Sequence, residues 1–560
     1  MVTGSEAVVK CLVEEGVDII FGYPGGAIMP VYDALYDYQN EVKHILTRHE
    51  QGAIHAAQGY ARSSGRVGVC LATSGPGATN LITGIADAQI DSTPLVCITG
   101  QVHSHLLGTD AFQETDVVGI SMPVTKWNCQ VTKAEDIPAA IAKAFYVAQS
   151  GRPGPVLVDI TKDAQFGEFE FEYEKCQQVR SYVAKPIINK DKLKEAAELI
   201  NQAKKPLVVF GQGVILARAE EEFKTVIEKA GLPSAWTIMG SSALPTNHDL
   251  NVGMLGMHGN YAPNVLTNQC DVLIAVGMRF DDRVTGNLEK YAKQAKVVHF
   301  EIDPAEIDKN VNTDVAVLGD CKESLSLLLP LLKENNHANW LNEFYRLRDV
   351  ELSKVINAET NPKSGELTMG EVMRRVNTHT EGKAIVVTDV GQHQMIACRY
   401  AEFQQSKSMI TSGGLGTMGF CLPAAIGAKM GMPKKQVIAV VGDGGFQMTI
   451  QELGTIFQTK VEVKILLLNN QFLGMVRQWQ DLFFDKRYSA TEMVNPDFQT
   501  IAKGYGIASK QIKEREMLND AIKEMIEHKG SYLLEVMVGK ENNVFPMVPT
   551  GSSVSEIRLD

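Results

Sequence analysis

The chain contains 560 residues, 44% of them hydrophobic, and carries a formal net charge of −12. This length exceeds what one hydrophobic core supports and predicts about three or four domains, while the acidic balance argues against a nucleic-acid-binding protein. No apolar run is long enough to span a membrane, no signal peptide opens the chain, and the nine cysteines form no CxxC pair, so we expect a protein of the reducing cytoplasm.

A first block, residues 1–165, alternates short apolar strands with helical stretches, as doubly wound α/β domains do. Two glycine turns, 22–26 and 74–77, directly follow strands and on this pattern alone are ordinary tight turns. Glu50 follows another strand and opens a helix predicted over 51–63. Because the helix dipole favours an acid in a first turn, helix stabilisation is the simpler interpretation of Glu50. Strands are predicted at 18–21, 44–47, 67–72, 95–98 and 156–160.

Two further blocks show the same alternation of strands and helices. The whole chain is therefore predicted to be α/β, with three doubly wound parallel-sheet domains. An acidic, aromatic linker, 166–189, precedes the second block, and a charged helical linker over about 335–365 precedes the third. The tail is predicted to be extended and able to fold over a neighbouring site. The predicted units are 190–340 for the central domain, 366–545 for the C-terminal domain and 546–560 for the tail, with strands at 206–210, 271–276, 297–302 and 384–388.

A βαβ unit in the third block carries two polar strand ends. Strands are predicted at 437–441 and 463–468, with a helix over 448–458 between them. Because parallel strands end at one edge of a sheet, Asp443 and Asn470 are expected to lie close together. A carboxylate and an amide oxygen beside flexible glycines suit Mg²⁺, although GDG alone is more often a plain strand-to-helix turn.

The third block also contains Gly414-Leu-Gly-Thr-Met-Gly419, which matches the dinucleotide-binding pattern GxGxxG. That pattern needs an acid about 20 positions later to hold a ribose. Residues 420–441 contain no Asp or Glu. The motif is therefore not interpreted as a Rossmann fingerprint.

A series of segments in one order along nearly the whole chain resembles the acetohydroxyacid synthase (acetolactate synthase) catalytic subunits of the thiamine diphosphate enzymes. GDG is followed after 24 residues by Asn469-Asn470, as in the thiamine diphosphate signature. RFDDRVTG and MVRQW separate this family from general pyruvate decarboxylases. The segments are GYPGGA at Gly22, RHEQGA at Arg48, TSGPGATN at Thr73, GTDAFQE at Gly108, SGRPGP at Ser150, GMLGMHG at Gly253, RFDDRVTG at Arg279, GQHQM at Gly391, GGLGTMGF at Gly413, GDG at Gly442 and NNQFLGMVRQW at Asn469.

The resemblance implies thiamine diphosphate held through Mg²⁺, with Asp443, Asn470 and the carbonyl of Phe472 as metal ligands. Glu50 would protonate the pyrimidine ring so that its imino group removes the C2 proton. Met418 would hold the cofactor in its bent shape. The implied thiamine diphosphate contacts are Pro24, Gly25, Glu50, Gln392, His393, Gly416, Met418, Gly442, Asp443, Gly444, Gly445, Asn470, Phe472, Leu473, Gly474 and Met475.

The implied reaction decarboxylates pyruvate and condenses the enamine with a second pyruvate or with 2-ketobutyrate, the first common step of isoleucine, valine and leucine biosynthesis. Arg283 would bind the second carboxylate, although a salt bridge to Asp281 or Asp282 is an equal alternative. Trp479 would favour 2-ketobutyrate, although a tryptophan at such a position by itself is more often a buried core aromatic. Gly26, Phe112, Gln113 and Lys162 match positions of the substrate channel, and Lys162 also fits a solvated surface position.

The central block would carry a structural FAD, since the reaction has no redox step. Glycine turns and an arginine suit the anionic pyrophosphate of such a dinucleotide. The implied contacts are Arg152, Gly211, Gln212, Thr237, Ile238, Leu255, Gly256, Met257, His258, Gly277, Arg279, Asp281, Glu301, Ile302, Asp320 and Cys321.

Family resemblance also predicts the partners. The active sites would lie between subunits of a homodimer or homotetramer, with a regulatory small subunit and small 2-keto acids as substrates. Two departures are minor: Phe472 replaces a frequent His, and Gly445 a frequent Ser. The alternatives are a pyruvate oxidase-like enzyme, which Arg283 and Trp479 argue against, and a non-catalytic scaffold, which the presence of Glu50, Asp443 and Asn470 argues against.

Overall fold

The computed structural model describes residues 1–560 and contains three six-stranded sheets whose strands all pair in parallel. Each sheet separates two hydrophobic clusters, because successive residues of a strand point to opposite faces. Val69 and Leu71 belong to one cluster, whereas Cys70 and Ala72 of the same strand belong to the other. The predicted fold class, three doubly wound α/β domains, is confirmed.

The N-terminal domain contains β1 (Val2–Thr3), β2 (Ile19–Gly22), β3 (Lys43–Leu46), β4 (Gly68–Ala72), β5 (Leu95–Gln101), β6 (Trp127–Val131), β7 (Pro155–Thr161) and β8 (Glu168–Phe169). Its helices are α1 (Gly4–Glu14), α2 (Met29–Leu35), α3 (Glu50–Ser64), α4 (Pro76–Asn80), α5 (Ile82–Ile90), α6 (Val117–Ser121), α7 (Ile137–Gln149) and α8 (Lys162–Phe166). The sheet order is β3-β2-β4-β5-β7-β6, and β1 pairs with β8 separately and antiparallel. The sequence does not predict β6, an edge strand that is only partly buried.

The central domain contains β9 (Pro206–Phe210), β10 (Ser234–Trp236), β11 (Asn251–Met254), β12 (Val272–Val276), β13 (Lys296–Glu301) and β14 (Val315–Leu318). Its helices are α9 (Lys190–Gln202), α10 (Gln212–Leu216), α11 (Glu220–Ala230), α12 (Tyr261–Thr267), α13 (Asp282–Thr285) and α14 (Cys321–Leu328). The sheet order is β11-β10-β9-β12-β13-β14. The predicted charged linker forms α15 (Ala338–Glu351), a π-helical turn (Leu352–Ile356) and α16 (Asn357–Thr360).

The C-terminal domain contains β15 (Ile385–Thr388), β16 (Met409–Ile410), β17 (Val437–Gly442), β18 (Lys464–Asn469), β19 (Ala508–Ile512) and β20 (Tyr532–Met537). Its helices are α17 (Met369–Thr380), α18 (Gln392–Tyr400), α19 (Cys421–Gly431), α20 (Asp443–Met448), α21 (Leu453–Thr459), α22 (Gly474–Phe483), α23 (Phe498–Gly504) and α24 (Arg515–Glu527). The sheet order is β16-β15-β17-β18-β20-β19. No helix combines the length and apolar character needed to cross a bilayer.

The single helix predicted over 448–458 is wrong. The structure instead starts α20 at Asp443, ends it at Met448 and begins α21 at Leu453. The break falls at Thr449, whose hydroxyl donates to the carbonyl of Gly419 over 2.9 Å and whose backbone leaves the helical region. A buried tertiary contact therefore overrides the local helical pattern.

The tail, residues 546–560, packs on the central domain. Ser553 forms a bridge with Gly286, and Val554 is buried in the central hydrophobic core. The main chain of Val548 donates to the carbonyl of Met257 over 2.8 Å. The tail therefore lies beside the segment that carries Arg283.

Candidate active site

Glycine-containing turns lie where the strand order of each sheet reverses direction. In such folds, ligands bind at this switch point, outside the carboxyl ends of the strands. The switch point lies between β2 and β4 in the first sheet, between β9 and β12 in the second, and between β15 and β17 in the third. The predicted turns at Gly22–Gly26, Ser74–Gly77, Gly211, Gly277 and Gly442–Gly445 directly follow these strands.

Asp443 lies at the tip of β17, and the register sets Gly442 beside Leu468 of β18. The carboxylate is buried, and burial raises its pKa above the usual value. Asn470, at the tip of β18, accepts a hydrogen bond from the main chain of Phe472 over 3.2 Å and donates to Gln392 over 3.3 Å. Asp443 and Asn470 thus line one cavity of about 50 Å³, called here the strand-tip cavity.

The strand-tip cavity brings together twelve of the residues predicted to bind thiamine diphosphate. Its lining fits an anion close to the main chain, since a Cβ atom at Gly444 would lie 2.7 Å from Leu473. Nε2 of His393 is buried without a partner, and burial lowers the His393 pKa to about 3, so the imidazole is neutral. The twelve residues are Gln392, His393, Met418, Gly442, Asp443, Gly444, Gly445, Asn470, Phe472, Leu473, Gly474 and Met475.

Asn495 is a residue of this site that the sequence did not suggest. Its Nδ2 donates to Asp443 Oδ2 over 2.7 Å and to Asn469 Oδ1 over 3.1 Å. No group of three or more His, Cys, Asp or Glu is placed to hold a metal. A cation at Asp443 would therefore take its remaining ligands from amide, main-chain and phosphate oxygens, as Mg²⁺ does.

Asp389, at the tip of β15, is a second missed residue. It accepts hydrogen bonds from the main chains of Val390, Gly419 and Cys421 over 2.9–3.0 Å. Burial raises its pKa to about 6. A Cβ atom at Gly445 would lie 2.3 Å from Asp389 Oδ1, so a serine here would require the Asp389 carboxylate to shift.

A much larger cavity, about 1180 Å³, lies where the three domains meet and is called here the three-domain cavity. It is lined by every predicted FAD residue except Gly211, which packs instead against the carbonyl of Gly277, 2.5 Å from where its Cβ would lie. Nδ1 of His258 is buried without a partner. The lining residues among those predicted for FAD are Arg152, Gln212, Thr237, Ile238, Leu255, Gly256, Met257, His258, Gly277, Arg279, Asp281, Glu301, Ile302, Asp320 and Cys321.

Glu301, at the end of β13, follows Gly277 by 24 positions and is buried. An acid at this distance holds the ribose in dinucleotide sites. Burial raises the Glu301 pKa to about 7, although the main chains of Ile302 and Asp303 donate to its carboxylate. Arg152 pairs with Asp303 over 3.2 Å and with Glu306 over 2.8 Å.

The N-terminal residues predicted for the thiamine and substrate sites line neither cavity, unlike Arg152, which was predicted for FAD. Glu50 is buried at the start of α3 and accepts a hydrogen bond from Asn80 over 2.9 Å. Phe112 is 88% exposed, and Gln113 adopts a left-handed φ of 60°. Pro24, Gly25 and Gly26 lie in the turn after β2, and Lys162 begins α8. None of these four residues lines either cavity.

Arg283 and Trp479 both line the three-domain cavity, together with Gly416. The Arg283 side chain is 60% exposed, and its closest carboxylate is that of Asp282 at 3.6 Å. Trp479 is half-buried against Phe483, with ring centroids 5.6 Å apart. Trp479 is therefore a cavity wall and not a core aromatic.

Family models for thiamine pyrophosphate enzymes match most of the chain. The N-terminal TPP binding domain matches residues 2–120, the central domain 193–328 and the C-terminal TPP binding domain 389–536. The chain belongs to the thiamine pyrophosphate enzymes. Its cofactor is therefore thiamine diphosphate, and the family resemblance seen in the sequence is confirmed.

Relatives within this family are acetolactate synthase large subunits. The protein of Corynebacterium glutamicum is 46% identical, over 99% of this chain and 90% of its own length. The isozyme 2 large subunit of Escherichia coli is 45% identical over 99% of both chains. The large subunit of Lactococcus lactis is 43% identical, over 99% of this chain and 96% of its own.

In this thiamine pyrophosphate enzyme, the two matched TPP binding domains carry different parts of the candidate site. The C-terminal match begins at Asp389 and includes Asp443 and Asn495. The N-terminal match includes Glu50. The strand-tip cavity thus holds only the C-terminal part.

Proposed function

We propose that this chain is an acetolactate synthase. It decarboxylates pyruvate and transfers the two-carbon unit to a second pyruvate, giving 2-acetolactate, or to 2-ketobutyrate, giving 2-aceto-2-hydroxybutyrate. The observation that carries this proposal is the 43–46% identity over almost the whole chain with acetolactate synthase large subunits. The reaction would be the first common step of branched-chain amino acid biosynthesis.

The diphosphate and its metal would bind in the strand-tip cavity. Asp443, Asn470 and the carbonyl of Phe472 would hold Mg²⁺, and the buried, unpartnered nitrogen of His393 together with the glycine turn would face the diphosphate. Thiamine diphosphate, when bound, supplies the carbanion and the electron sink that the decarboxylation requires. Glu50 would hold a proton at the pyrimidine nitrogen, a role that its burial beside Asn80 supports.

FAD would occupy the three-domain cavity as a structural group. A cavity of about 1180 Å³ at a switch point, with Glu301 at the end of β13 and the unpartnered Nδ1 of His258, supports a dinucleotide of this size. Arg152 would then exchange part of its pairing with Asp303 and Glu306 for the pyrophosphate.

The substrate residues would come from two subunits. Arg283 would bind the carboxylate of the acceptor 2-keto acid, and Trp479 would form the wall beside it. Gly26, Phe112, Gln113 and Lys162, which line neither cavity of their own chain, would reach the site of a second copy in a homodimer or homotetramer. The relatives are described as large subunits, which supports a regulatory small subunit for this chain too.

The functional units would be 1–165 for the pyrimidine end of thiamine, 190–340 for FAD, 366–545 for the diphosphate and Mg²⁺, and 546–560 as a covering tail. The tail's contacts beside Arg283 support its covering role.

Product analysis tests the proposed activity. Purified protein is supplied with thiamine diphosphate, Mg²⁺, FAD and a mixture of pyruvate and 2-ketobutyrate, and the products are separated and quantified. We expect both hydroxyacids and no net flavin reduction. Failure to form either acid would refute the proposal, and anaerobic flavin reduction by pyruvate at the rate of turnover would favour the pyruvate oxidase-like alternative.

A further inference from the structure

A buried cluster of Arg62, Asp87 and Asp91 in the N-terminal domain is not among the predicted site residues, although Asp91 lines the three-domain cavity. Arg62 of α3 donates from Nη2 to Asp91 Oδ2 over 2.9 Å, and the same nitrogen lies 3.9 Å from Asp87 Oδ2. All three side chains are buried. Two carboxyl groups thus lie beside one guanidinium, and their remaining oxygen atoms need other hydrogen-bond donors.

Those donors come from the C-terminal domain, from the residues 412–419 that we call the glycine loop. Asp91 Oδ2 accepts from the main chain of Gly413 over 2.9 Å, and Asp91 Oδ1 accepts from Gly414 over 2.8 Å. Burial raises the pKa of Asp91, and the nearby Arg62 opposes that shift. Each oxygen of the Asp91 carboxyl group thus accepts a hydrogen bond from one of two consecutive amides.

Asp87 connects two positions of the same loop, Ser412 at its start and Thr417 near its end. Its Oδ1 accepts from the hydroxyl of Thr417 over 3.0 Å and from the hydroxyl of Ser412. The Ser412 hydroxyl oxygen in turn accepts from the main chain of Thr417 over 2.8 Å. The two carboxylates therefore hold the loop at both ends.

Gly413 and Gly414 are required by this close approach. A Cβ atom at Gly413 would lie 2.4 Å from Sδ of Met239 in the central domain, and one at Gly414 would lie 2.7 Å from Ile90. The GxGxxG pattern, which is no dinucleotide fingerprint here, begins at Gly414. Its first glycine thus serves domain packing against the carboxylate cluster.

The loop carries Gly416 and Met418 into the three-domain cavity, and Met418 also lines the strand-tip cavity. We infer that Asp87 and Asp91 are positioning residues of the thiamine site: by binding the glycine loop across the domain boundary, they fix where Gly416 and Met418 meet the thiamine rings. This inference rests on the proposed placement of thiamine diphosphate. It assigns to the N-terminal domain a control over the cofactor site of its own chain.

Thr417→Val tests the inference with little risk to folding, because it replaces one hydroxyl that binds Asp87 by a methyl group of similar shape. Two ligands are titrated by calorimetry in the presence of Mg²⁺: thiamine diphosphate and inorganic pyrophosphate. We expect the dissociation constant of thiamine diphosphate to rise about tenfold, the effect of one lost hydrogen bond to a charged group. Pyrophosphate binding should not change, because the diphosphate walls of the strand-tip cavity do not involve Thr417.

Three further variants complete the experiment. Thr417→Ser keeps the hydroxyl and should restore wild-type affinity for thiamine diphosphate. Asp91→Asn can accept through only one oxygen and should weaken thiamine diphosphate binding at least as much as Thr417→Val. Asp271→Asn is the matched control, since Asp271 also binds two consecutive amides, those of Lys204 and Lys205, but lies outside both cavities. It should leave both affinities unchanged.

The inference would be overturned if Thr417→Val weakened the binding of thiamine diphosphate and pyrophosphate equally. It would also be overturned if Thr417→Val and Asp91→Asn both left the affinity for thiamine diphosphate unchanged. Amide hydrogen exchange separates this failure from failure of the proposed function. If the wild-type protein binds pyrophosphate and not thiamine diphosphate, the proposed site is wrong. Faster exchange at Gly413 and Gly414 in Thr417→Val than in Thr417→Ser would then still support the anchoring of the loop, and equal exchange would refute it.

Discussion

The two parts of the candidate site differ in how far one chain organises them. Around the strand-tip cavity, Asp389 and Asp443 are buried and receive hydrogen bonds from amides of their own domain. The residues proposed to bind substrate are more exposed: Phe112 is 88% exposed, and the Arg283 side chain is 60% exposed, with Asp282 at 3.6 Å and the sulfur of Met257 at 3.7 Å. The residues proposed to hold the diphosphate are thus buried and hydrogen-bonded within one chain, whereas Phe112 and Arg283, which are proposed to bind substrate, are exposed.

This difference has a physical reason. A buried carboxylate must be satisfied by donors when no ligand is present, so a cofactor site built on strand tips needs its own amides. A side chain on an exposed loop is solvated by water, so it needs no such support before a ligand or a second subunit binds. Substitutions in the strand-tip region should therefore act through binding of the cofactor, and substitutions among the exposed residues through the substrate or the partner.

Asp443→Asn should have the largest effect on cofactor binding. Residues that support the ligands of a metal typically contribute about 10–100-fold to its binding, so removing the carboxylate ligand itself should reduce Mg²⁺-dependent thiamine diphosphate binding more than about a hundredfold. Calorimetric titration measures this loss. Asp497→Asn is the control, because Asp497 caps α23 in the same domain and lines neither cavity. Equal affinities in Asp443→Asn and the wild type would make Asp443 an ordinary turn residue.

Mixing two inactive variants tests whether the two parts come from different subunits. Glu50→Gln should lower turnover about 10²–10⁴-fold, the usual contribution of a proton-transfer group, and should keep thiamine diphosphate bound. If Glu50 of one subunit serves the cofactor held by Asp443 of the other, unfolding and refolding Glu50→Gln together with Asp443→Asn should recover about a quarter of wild-type activity, because half the dimers are mixed and have one intact site.

The control for this experiment is each variant refolded alone, which should remain inactive. Differently tagged chains show whether mixed dimers have formed. If mixed dimers are present and activity is not recovered, one chain holds the complete site. A fully active monomer in a dilution series would lead to the same conclusion.

Asn495→Ala should have an intermediate effect. Asn495 links Asp443 to Asn469 through one amide nitrogen, so its loss should loosen the metal ligand and weaken Mg²⁺ binding about 10–100-fold. Excess Mg²⁺ should restore turnover, which distinguishes this variant from Asp443→Asn. Asn201→Ala removes a similar amide contact, to the carbonyl of Leu331 in the central domain, and should leave the Mg²⁺ dependence unchanged. An unaltered Mg²⁺ requirement in Asn495→Ala would remove Asn495 from the site.

Several long apolar strands were predictable from the sequence, whereas strands that contain polar residues were missed even where they are buried. The apolar run of β9 was predicted with its observed bounds, whereas the edge strands β6 and β19 alternate polar residues and contain no such run. The inner strand β20 was missed because Glu535 interrupts it. Burial of Glu535 is possible because its carboxylate accepts hydrogen bonds from Asn469, Gln499 and Gln511, which are far away in sequence.

The candidate site divides in the same way. The meeting of Asp443 and Asn470 followed from parallel topology alone. Asp389 could have been found by the same reasoning, since it also follows a buried strand. Asn495 could not, because it lies in an irregular segment 52 positions after Asp443 and only the folded chain brings the two together.

The smallest effect is expected from Arg283→Lys, a variant that distinguishes the two interpretations of Arg283. If its partner is a substrate carboxylate, Arg283→Lys keeps the charge but loses the planar fork, and the KM for the acceptor 2-keto acid should rise roughly tenfold. If its partner is Asp282, the exposed pair contributes at most about 1 kcal/mol to the free energy of unfolding. Asp282→Asn should then reproduce the effect of Arg283→Lys, whereas in the substrate interpretation it leaves the acceptor KM unchanged. Steady-state kinetics at saturating thiamine diphosphate distinguish the two interpretations. Under these conditions a change in the acceptor KM reports binding of the substrate and not of the cofactor.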